Sequence, residues 1–155
     1  MPGKAKVLFL CTGNSARSQM AEGFLRHYAG NEFEAYSAGL EPKGLHPLTV
    51  KVMQEIGIDI SGQRSKSVRE YLGYINFGYL IIVCGDAEQK CPTVFVGVNK
   101  RMFWPFDDPA RIEGTEEEKL AAFRRVRDEI DLKIREWLRE MNVPIQNAPL
   151  AQSDL

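Results

Sequence analysis

An apolar strand that runs directly into a tight loop and then into a helix most constrains how this chain can fold. Residues 7–10 (VLFL) precede the segment CTGNSARS at 11–18, and a helical pattern begins immediately afterwards. A helix N-terminus exposes unsatisfied N–H groups and the positive end of the helix dipole, so a loop of this kind forms a cradle for a tetrahedral oxyanion. The order of elements therefore predicts an anion site at the carboxyl end of the first strand.

Two side chains determine the chemistry expected of this loop. The loop amides and Arg17 should stabilise the Cys11 thiolate and lower its pKa well below about 8.5. Arg17 also presents a planar fork of donors, which matches the oxygens of phosphate or arsenate. The alternative is that Cys11 is a small buried hydrophobe and Arg17 a solvated helix residue. The C-x5-R spacing favours Cys11 as a nucleophile and an oxyanion site formed by Thr12, Gly13, Asn14, Ser15, Ala16, Arg17 and Ser18.

Bulk composition limits the class of protein and its partners. The 155 residues, 44% of them hydrophobic, are enough for one proper core, so we expect a single domain. A net charge of −1 provides no general basic field for nucleic acid or a membrane surface. No apolar stretch reaches membrane-spanning length and no signal-peptide pattern precedes the first strand, which predicts a cytoplasmic protein. In that reducing compartment the three cysteines are expected to be catalytic, metal-binding or redox-active.

Strand-like and helix-like segments alternate along the chain, with strands predicted at residues 6–10, 33–37, 79–83 and 101–104. This alternation predicts a three-layer, doubly wound α/β fold with a four-stranded parallel sheet. Helical patterns follow the first loop, begin again at Pro47, and recur more weakly at 68–75. A capping box at Thr115 and Glu118 opens the clearest helix, which runs to about Met141. Residues 1–141 are predicted to form the domain, and residues 142–155 a flexible tail.

Two more loops bear reactive groups at strand ends, where ligands of parallel sheets bind. Cys84 follows the third strand and precedes Cys91 by seven residues. Taken alone, this spacing favours a packing residue and an idle surface thiol, since the two sulfurs would meet only after local rearrangement. Neither His27 nor His46 has ligand spacing to a cysteine, so no metal site is predicted.

Adjacent carboxylates, Asp107 and Asp108, follow the fourth strand and precede Pro109. One of them can serve as a general acid for a departing oxygen, while the other caps a turn or accepts backbone N–H bonds. Taken alone, an aspartate–proline pair is ordinary turn chemistry.

Residues 6–141 resemble the thioredoxin-coupled arsenate reductases, which share their fold with the low-molecular-weight protein tyrosine phosphatases. The matching segments are CTGNSARSQMAEG (11–23), YSAG (36–39), GIDIS (57–61), VCGDA (83–87) with Cys91-Pro92, and FDDPA (106–110) with GTEEEK (114–119). The oxyanion loop and the aspartate–proline loop belong to both families, whereas the pair Cys84 and Cys91 marks the reductases. The resemblance therefore favours a redox-active pair of cysteines over the packing residue and idle thiol that the spacing alone favours.

The resemblance implies a reaction in which three thiols act in turn. Cys11 attacks arsenic while Asp108 protonates the departing oxygen, and Cys84 then attacks Cys11 so that arsenite leaves. Cys91 next attacks Cys84, and thioredoxin reduces the resulting disulfide between Cys84 and Cys91. The implied protein is a monomer with no tightly bound cofactor, whose partners are an arsenate or phosphate oxyanion and thioredoxin. The alternative is a phosphatase that hydrolyses aryl phosphates with Cys11, Arg17 and Asp108.

The resemblance also bears on a cation. Many family members bind potassium through residues that match Asn14, Glu22 and Ser37, together with an aspartate near the position of Lys66. Lysine at this position argues against a bound potassium ion and raises the alternative that Lys66 supplies the charge itself. Within the loop, Ser18 is expected to donate to the Cys11 sulfur, and Asn14 to brace the backbone.

Overall fold

The chain forms a four-stranded, fully parallel β-sheet with helices packed on it. We describe it from a computed structural model covering residues 3–71, 73–85 and 97–147. The strands are β1 (Ala5–Cys11), β2 (Phe33–Gly39), β3 (Phe77–Ile82) and β4 (Val98–Phe103), in the order β2-β1-β3-β4. The predicted α/β fold with four parallel strands is confirmed.

The central position of β1 explains its unbroken apolar sequence. It pairs with β2 on one side and with β3 on the other, so Leu8 lies opposite both Tyr36 and Leu80. A strand with neighbours on both edges and layers on both faces is apolar at every position. The edge strand β4 starts three residues before its predicted beginning. The residues after Val98 are polar and exposed at the sheet edge, so the sequence gives no apolar signal for the start of this strand.

In the part of the chain that the structure describes, three α-helices lie in contact with one another: α1 (Arg17–Ala29), α2 (Pro47–Gln54) and α3 (Glu116–Glu140). The predicted capping box of α3 is present, since Thr115 and Glu118 accept reciprocally from each other's backbone N–H groups. On one face of the sheet, Trp137 of α3 stacks on Phe33. Because side chains of a strand alternate between faces, Tyr36 lies on the opposite face, where its ring meets the edge of Tyr71.

The predicted weak helix at 68–75 is wrong. Val68–Glu70 form a single 3-10 turn, capped by the Ser67 hydroxyl, and Gly73 then takes a positive φ of 84°. A left-handed residue ends a helix, so no regular helix can continue through Gly73. Within the ranges that the structure describes, no helix is both long and apolar enough to cross a membrane.

Residues 142–147, assigned by the sequence to a flexible tail, return to the end of α1. The backbone N–H of Gln146 donates to the Tyr28 carbonyl at 2.7 Å, and the Asn147 amide donates to the His27 carbonyl at 3.0 Å. Val143 packs against the core. The remaining tail residues lie outside the described structure.

Candidate active site

The loop that the sequence predicts to be an anion cradle connects β1 to α1. Cys11 is the last residue of β1 and Arg17 the first of α1. Ala16 occupies the N-cap position and supplies no side-chain hydrogen bond. Because no side chain caps the first turn, its N–H groups remain available to a ligand.

A cavity of about 260 Å³ opens over this loop. Its described lining comprises Cys11, Thr12, Gly13, Ser15, Ala16, Arg17, Lys43, Asp108, Ala110 and Arg111. The structure therefore brings together most of the predicted oxyanion-binding residues with the predicted acid. Asn14 and Ser18 do not line the cavity, because their side chains are buried on the other side of the loop. Sequence reasoning missed Lys43, which reaches the loop from a distant segment.

Buried side chains behind the loop hold it in shape. Asn14 has a φ of 49°, a left-handed conformation that asparagine tolerates better than most residues. Its side-chain carbonyl accepts from the Gln19 amide at 3.0 Å and from the backbone N–H of Lys66 at 2.9 Å. Its amide nitrogen donates to the Ser18 hydroxyl at 2.8 Å. Both ends of the Asn14 side chain are thus paired, which fixes the turn that Cys11 needs.

This network determines which way the Ser18 hydroxyl points. Because Ser18 accepts from Asn14, its own hydrogen is available to the Cys11 sulfur, 2.9 Å away. The backbone N–H of Asn14 donates to the same sulfur at 3.2 Å. The sulfur therefore has two donors, and a thiolate would be stabilised by both.

Gly39, at the end of β2, lies where the loop backbone passes closest to the sheet. A Cβ on this residue would lie 2.7 Å from the Thr12 carbonyl oxygen and 3.0 Å from the Asn14 nitrogen. Those neighbours are backbone atoms, which cannot rotate away. The position therefore requires glycine for close approach, and the backbone N–H of Gly39 donates to the Lys66 carbonyl at 2.8 Å.

The two aspartates have different surroundings. Asp108 lines the cavity, with one carboxylate oxygen 3.5 Å from Arg17 and the other accepting from the Ala110 N–H at 3.0 Å. Arg17 is oriented from behind by a 3.0 Å hydrogen bond to the Phe106 carbonyl. The largely exposed carboxylate of Asp107 lies 3.4 Å from Arg125 of α3. Only Asp108 is therefore placed to exchange a proton with a bound group.

A second thiol lies beside the nucleophile candidate. Cys84 lies two residues after the end of β3 and is buried, and its sulfur accepts from the backbone N–H of Thr12 at 3.3 Å. Because Thr12 follows Cys11 in the chain, this contact places Cys84 next to Cys11, close enough for the two thiols to affect each other's pKa. Cys91, and with it the predicted disulfide between Cys84 and Cys91, lies outside the described residues.

The contact between the thiols changes the expected acidity of Cys11. The hydrogen bond with Cys84 and burial raise the pKa of Cys11, whereas Ser18 lowers it. Two adjacent sulfurs cannot both carry a negative charge, so the pair holds at most one thiolate. The prediction of a depressed pKa is wrong for this arrangement, because it considered the loop and Arg17 without the second thiol.

Next to the cradle lies a buried group of charges. The ammonium of Lys66 is within 2.8 Å of the Arg64 carbonyl oxygen, 3.2 Å of the Ser37 hydroxyl and 3.6 Å of the Glu22 carboxylate. Burial lowers the pKa of Lys66, and Glu22 opposes this effect. The other carboxylate oxygen of Glu22 pairs with Arg26. Among the described residues, no three His, Cys, Asp or Glu side chains are grouped as metal ligands would be.

Comparison with known proteins agrees with this geometry. A sequence profile of the low molecular weight phosphotyrosine protein phosphatases matches residues 6–147. An arsenate reductase of Bacillus subtilis is 53% identical over 131 residues, which are 84% of this chain and 93% of that protein. A solved arsenate reductase in its oxidized state is 32% identical and superimposes with a TM-score of 0.72, over 87% of this chain and 97% of the other. A thioredoxin-dependent arsenate reductase of Corynebacterium glutamicum is 29% identical with a TM-score of 0.63, over 90% of this chain and 62% of the other.

Proposed function

Because the chain belongs to the low molecular weight phosphotyrosine protein phosphatase family, we propose that it uses the family's oxyanion loop to reduce arsenate to arsenite. The chain is an arsenate reductase like the relatives it matches over most of their length. The observation that carries the proposal is the buried thiol of Cys84 beside Cys11. Ester hydrolysis requires one nucleophilic sulfur, whereas reduction of arsenic requires a second thiol within reach of the first.

The first step forms a bond between sulfur and arsenic. Arsenate binds through the loop N–H groups and Arg17, whose fork of donors matches two oxygens of the anion. The Cys11 thiolate attacks arsenic, and one oxygen leaves as water after Asp108 donates a proton. This step changes no oxidation state, since it exchanges an oxygen ligand of arsenic for sulfur.

The second step is the reduction itself. The Cys84 thiolate attacks the Cys11 sulfur, the bond between sulfur and arsenic breaks, and its electron pair stays on arsenic as arsenite. Two thiols have then become one disulfide while As(V) has become As(III). Cys91 next attacks Cys84 and releases the Cys11 thiolate, so that oxidation passes to the pair Cys84 and Cys91.

A dithiol protein must then return the two electrons, and we assign this step to thioredoxin. The thioredoxin-dependent reductase of Corynebacterium glutamicum, with which the chain shares its fold, supports the assignment. We further propose that the protein works as a monomer in the cytoplasm, where the reducing environment keeps its thiols reduced between turnovers.

A phosphatase activity at the same site is the second candidate function. The family profile supports it, as does the position of Asp108, which lines the cavity beside Arg17. Cys11 would attack phosphorus, and Asp108 would act first as acid and then as base. We expect this activity to be weak, because no aromatic side chain is among the described residues that line the cavity.

Single-cysteine variants test the proposal because the same protein can be assayed in two reactions. Cys11→Ser should abolish both arsenate reduction with thioredoxin, thioredoxin reductase and NADPH, and hydrolysis of p-nitrophenyl phosphate. Cys84→Ser should abolish only the reduction, and its hydrolysis rate serves as the matched control for a folded site. Cys91→Ser treated with arsenate should accumulate the disulfide between Cys11 and Cys84, which peptide mapping after alkylation detects.

The result that would overturn the proposal is steady arsenate reduction by Cys84→Ser at the wild-type rate. In that case the relay through the second thiol does not exist. If the wild-type protein released no arsenite in a single turnover without thioredoxin while hydrolysing p-nitrophenyl phosphate, the phosphatase would be the function.

A further inference from the structure

A buried ammonium group next to the catalytic loop takes no part in the steps described above. The Lys66 side chain is only 7% exposed, and its nitrogen lies among a carboxylate, a hydroxyl and a backbone carbonyl. Lysine is among the residues least often buried, because removing its charge from water is costly unless a partner compensates. Its burial here therefore requires an explanation in the surrounding structure.

Glu22 compensates the buried charge of Lys66. This carboxylate is itself buried, with one oxygen 2.5 Å from the Ser37 hydroxyl and 3.6 Å from the Lys66 nitrogen. Its second oxygen pairs with Arg26, whose side chain is half exposed. Without Lys66, the inner oxygen would face only a neutral hydroxyl, and a buried charge that has lost its partner is strongly destabilising.

The main chain of Lys66 connects it to the oxyanion loop and to the sheet. Its N–H donates to the Asn14 side chain, and its carbonyl accepts from Gly39, so this one residue ties the 64–66 segment to both the oxyanion loop and the end of β2. Asn14 in turn orients Ser18, which donates to Cys11. Three successive hydrogen bonds, through Asn14 and Ser18, thus connect Lys66 to the Cys11 sulfur.

The three oxygens around the ammonium are also the kind that hold a monovalent metal ion. Backbone carbonyl, hydroxyl and carboxylate oxygens replace the hydration shell of such ions. In this chain the positive charge among these oxygens belongs to the ammonium group of the Lys66 side chain.

We propose that Lys66 is a positioning residue that acts as a built-in cation: it holds Glu22, Ser37 and the 64–66 segment in the arrangement that orients Asn14 and Cys11, and the protein therefore needs no free potassium ion. The activity measurement below rests on the proposed arsenate reduction. The alkylation and melting measurements do not, so the two ideas can fail separately.

The first measurement uses the unaltered protein. Its melting temperature, its arsenate reduction rate and the pH profile of Cys11 alkylation by iodoacetamide should be the same in about 0.1 M potassium chloride and in choline chloride of equal ionic strength, where general screening is matched. Activation or stabilisation of the wild-type protein by potassium over choline would overturn the proposal. Failure of arsenate turnover in both salts, with an intact alkylation profile, would count against the proposed function alone.

Substitution of Lys66 provides the second measurement. Lys66→Met removes the charge while filling the space, and it should slow Cys11 alkylation near neutral pH by about tenfold in both salts, a typical cost of losing an outer-shell partner. Lys66→Asp leaves room and adds a ligand for a cation. It should be slow in choline and recover in potassium, with a melting temperature raised by roughly 3 °C in the potassium solution.

Control variants separate this role from a loss of general stability. Lys6→Met removes an exposed ion pair with Glu34 at the opposite end of β1, and it should leave the alkylation profile unchanged. If Lys66→Asp does not fold in either salt, Lys66→Ala supplies the cavity without the added charge and should show the same preference for potassium. A wild-type profile for Lys66→Met, or no potassium response from either cavity-forming variant, would refute the built-in cation.

Discussion

Removing the Ser18 hydroxyl should make Cys11 a weaker acid by a predictable amount. The hydroxyl lies 2.9 Å from the sulfur and, because it already accepts from Asn14, its hydrogen is directed at Cys11. A hydrogen bond to a charged group contributes about 1.5–3 kcal/mol. One pKa unit corresponds to about 1.36 kcal/mol, so Ser18→Ala should raise the Cys11 pKa by about 1 to 2 units.

The rate of alkylation converts this shift into a measurable quantity. Below the pKa the thiolate fraction falls about tenfold per unit, but a more basic thiolate is also more nucleophilic, with a Brønsted coefficient of about 0.4–0.5. The net loss is about 3-fold to 4-fold per unit, so near neutral pH the variant should react about 3-fold to 15-fold more slowly. Iodoacetamide labelling across a pH series, with mass mapping of the Cys11 peptide, gives both the rate and the midpoint.

Ser65→Ala is the matched control. This hydroxyl also contacts the loop, where it donates to the Gly13 carbonyl at 3.2 Å, but no contact with a sulfur is among its hydrogen bonds in the described structure. Its midpoint should stay within about 0.3 unit of the wild-type value, since loop shape alone should not change the charge stabilisation. An unshifted midpoint for Ser18→Ala, or an equal shift for both variants, would refute the inferred donor direction.

Four further substitutions test the site. Arg17→Lys replaces a planar fork by a point charge and should raise the KM for arsenate by about tenfold; steady-state kinetics with a wild-type KM would contradict two-point binding of the anion. Asp108→Asn should lower kcat by about a hundredfold while Asp107→Asn leaves it nearly unchanged, and the opposite ranking would transfer the acid to Asp107. Gly39→Ala places a Cβ 2.7 Å from the Thr12 carbonyl and should cost about 1–3 kcal/mol of stability in urea unfolding, whereas an unchanged unfolding midpoint would show that the loop backbone shifts freely.

The sequence alone was sufficient for features that depend on neighbouring residues. The apolar run 7–10, the loop 11–18 and the capping box at Thr115 each act within a few positions, and all three lie where they were predicted. The nucleophile candidate and its arginine were found for the same reason, since both belong to one strand–loop–helix unit. Local signals failed where they were weak, as at 68–75, where a single 3-10 turn ends at Glu70 and Gly73 is left-handed.

The contacts that give the site its chemistry were decided by the tertiary structure. Thr12 and Cys84 are 72 positions apart, and they meet because β1 and β3 are adjacent in the sheet. The same packing separates Asp108 from Asp107, which are equivalent in sequence, by directing one into the cavity and the other towards α3. It also buries Lys66 against Glu22, although lysine ordinarily indicates an exposed position. Strand order and burial arise from the packing of the whole core, so no short window of residues contains them.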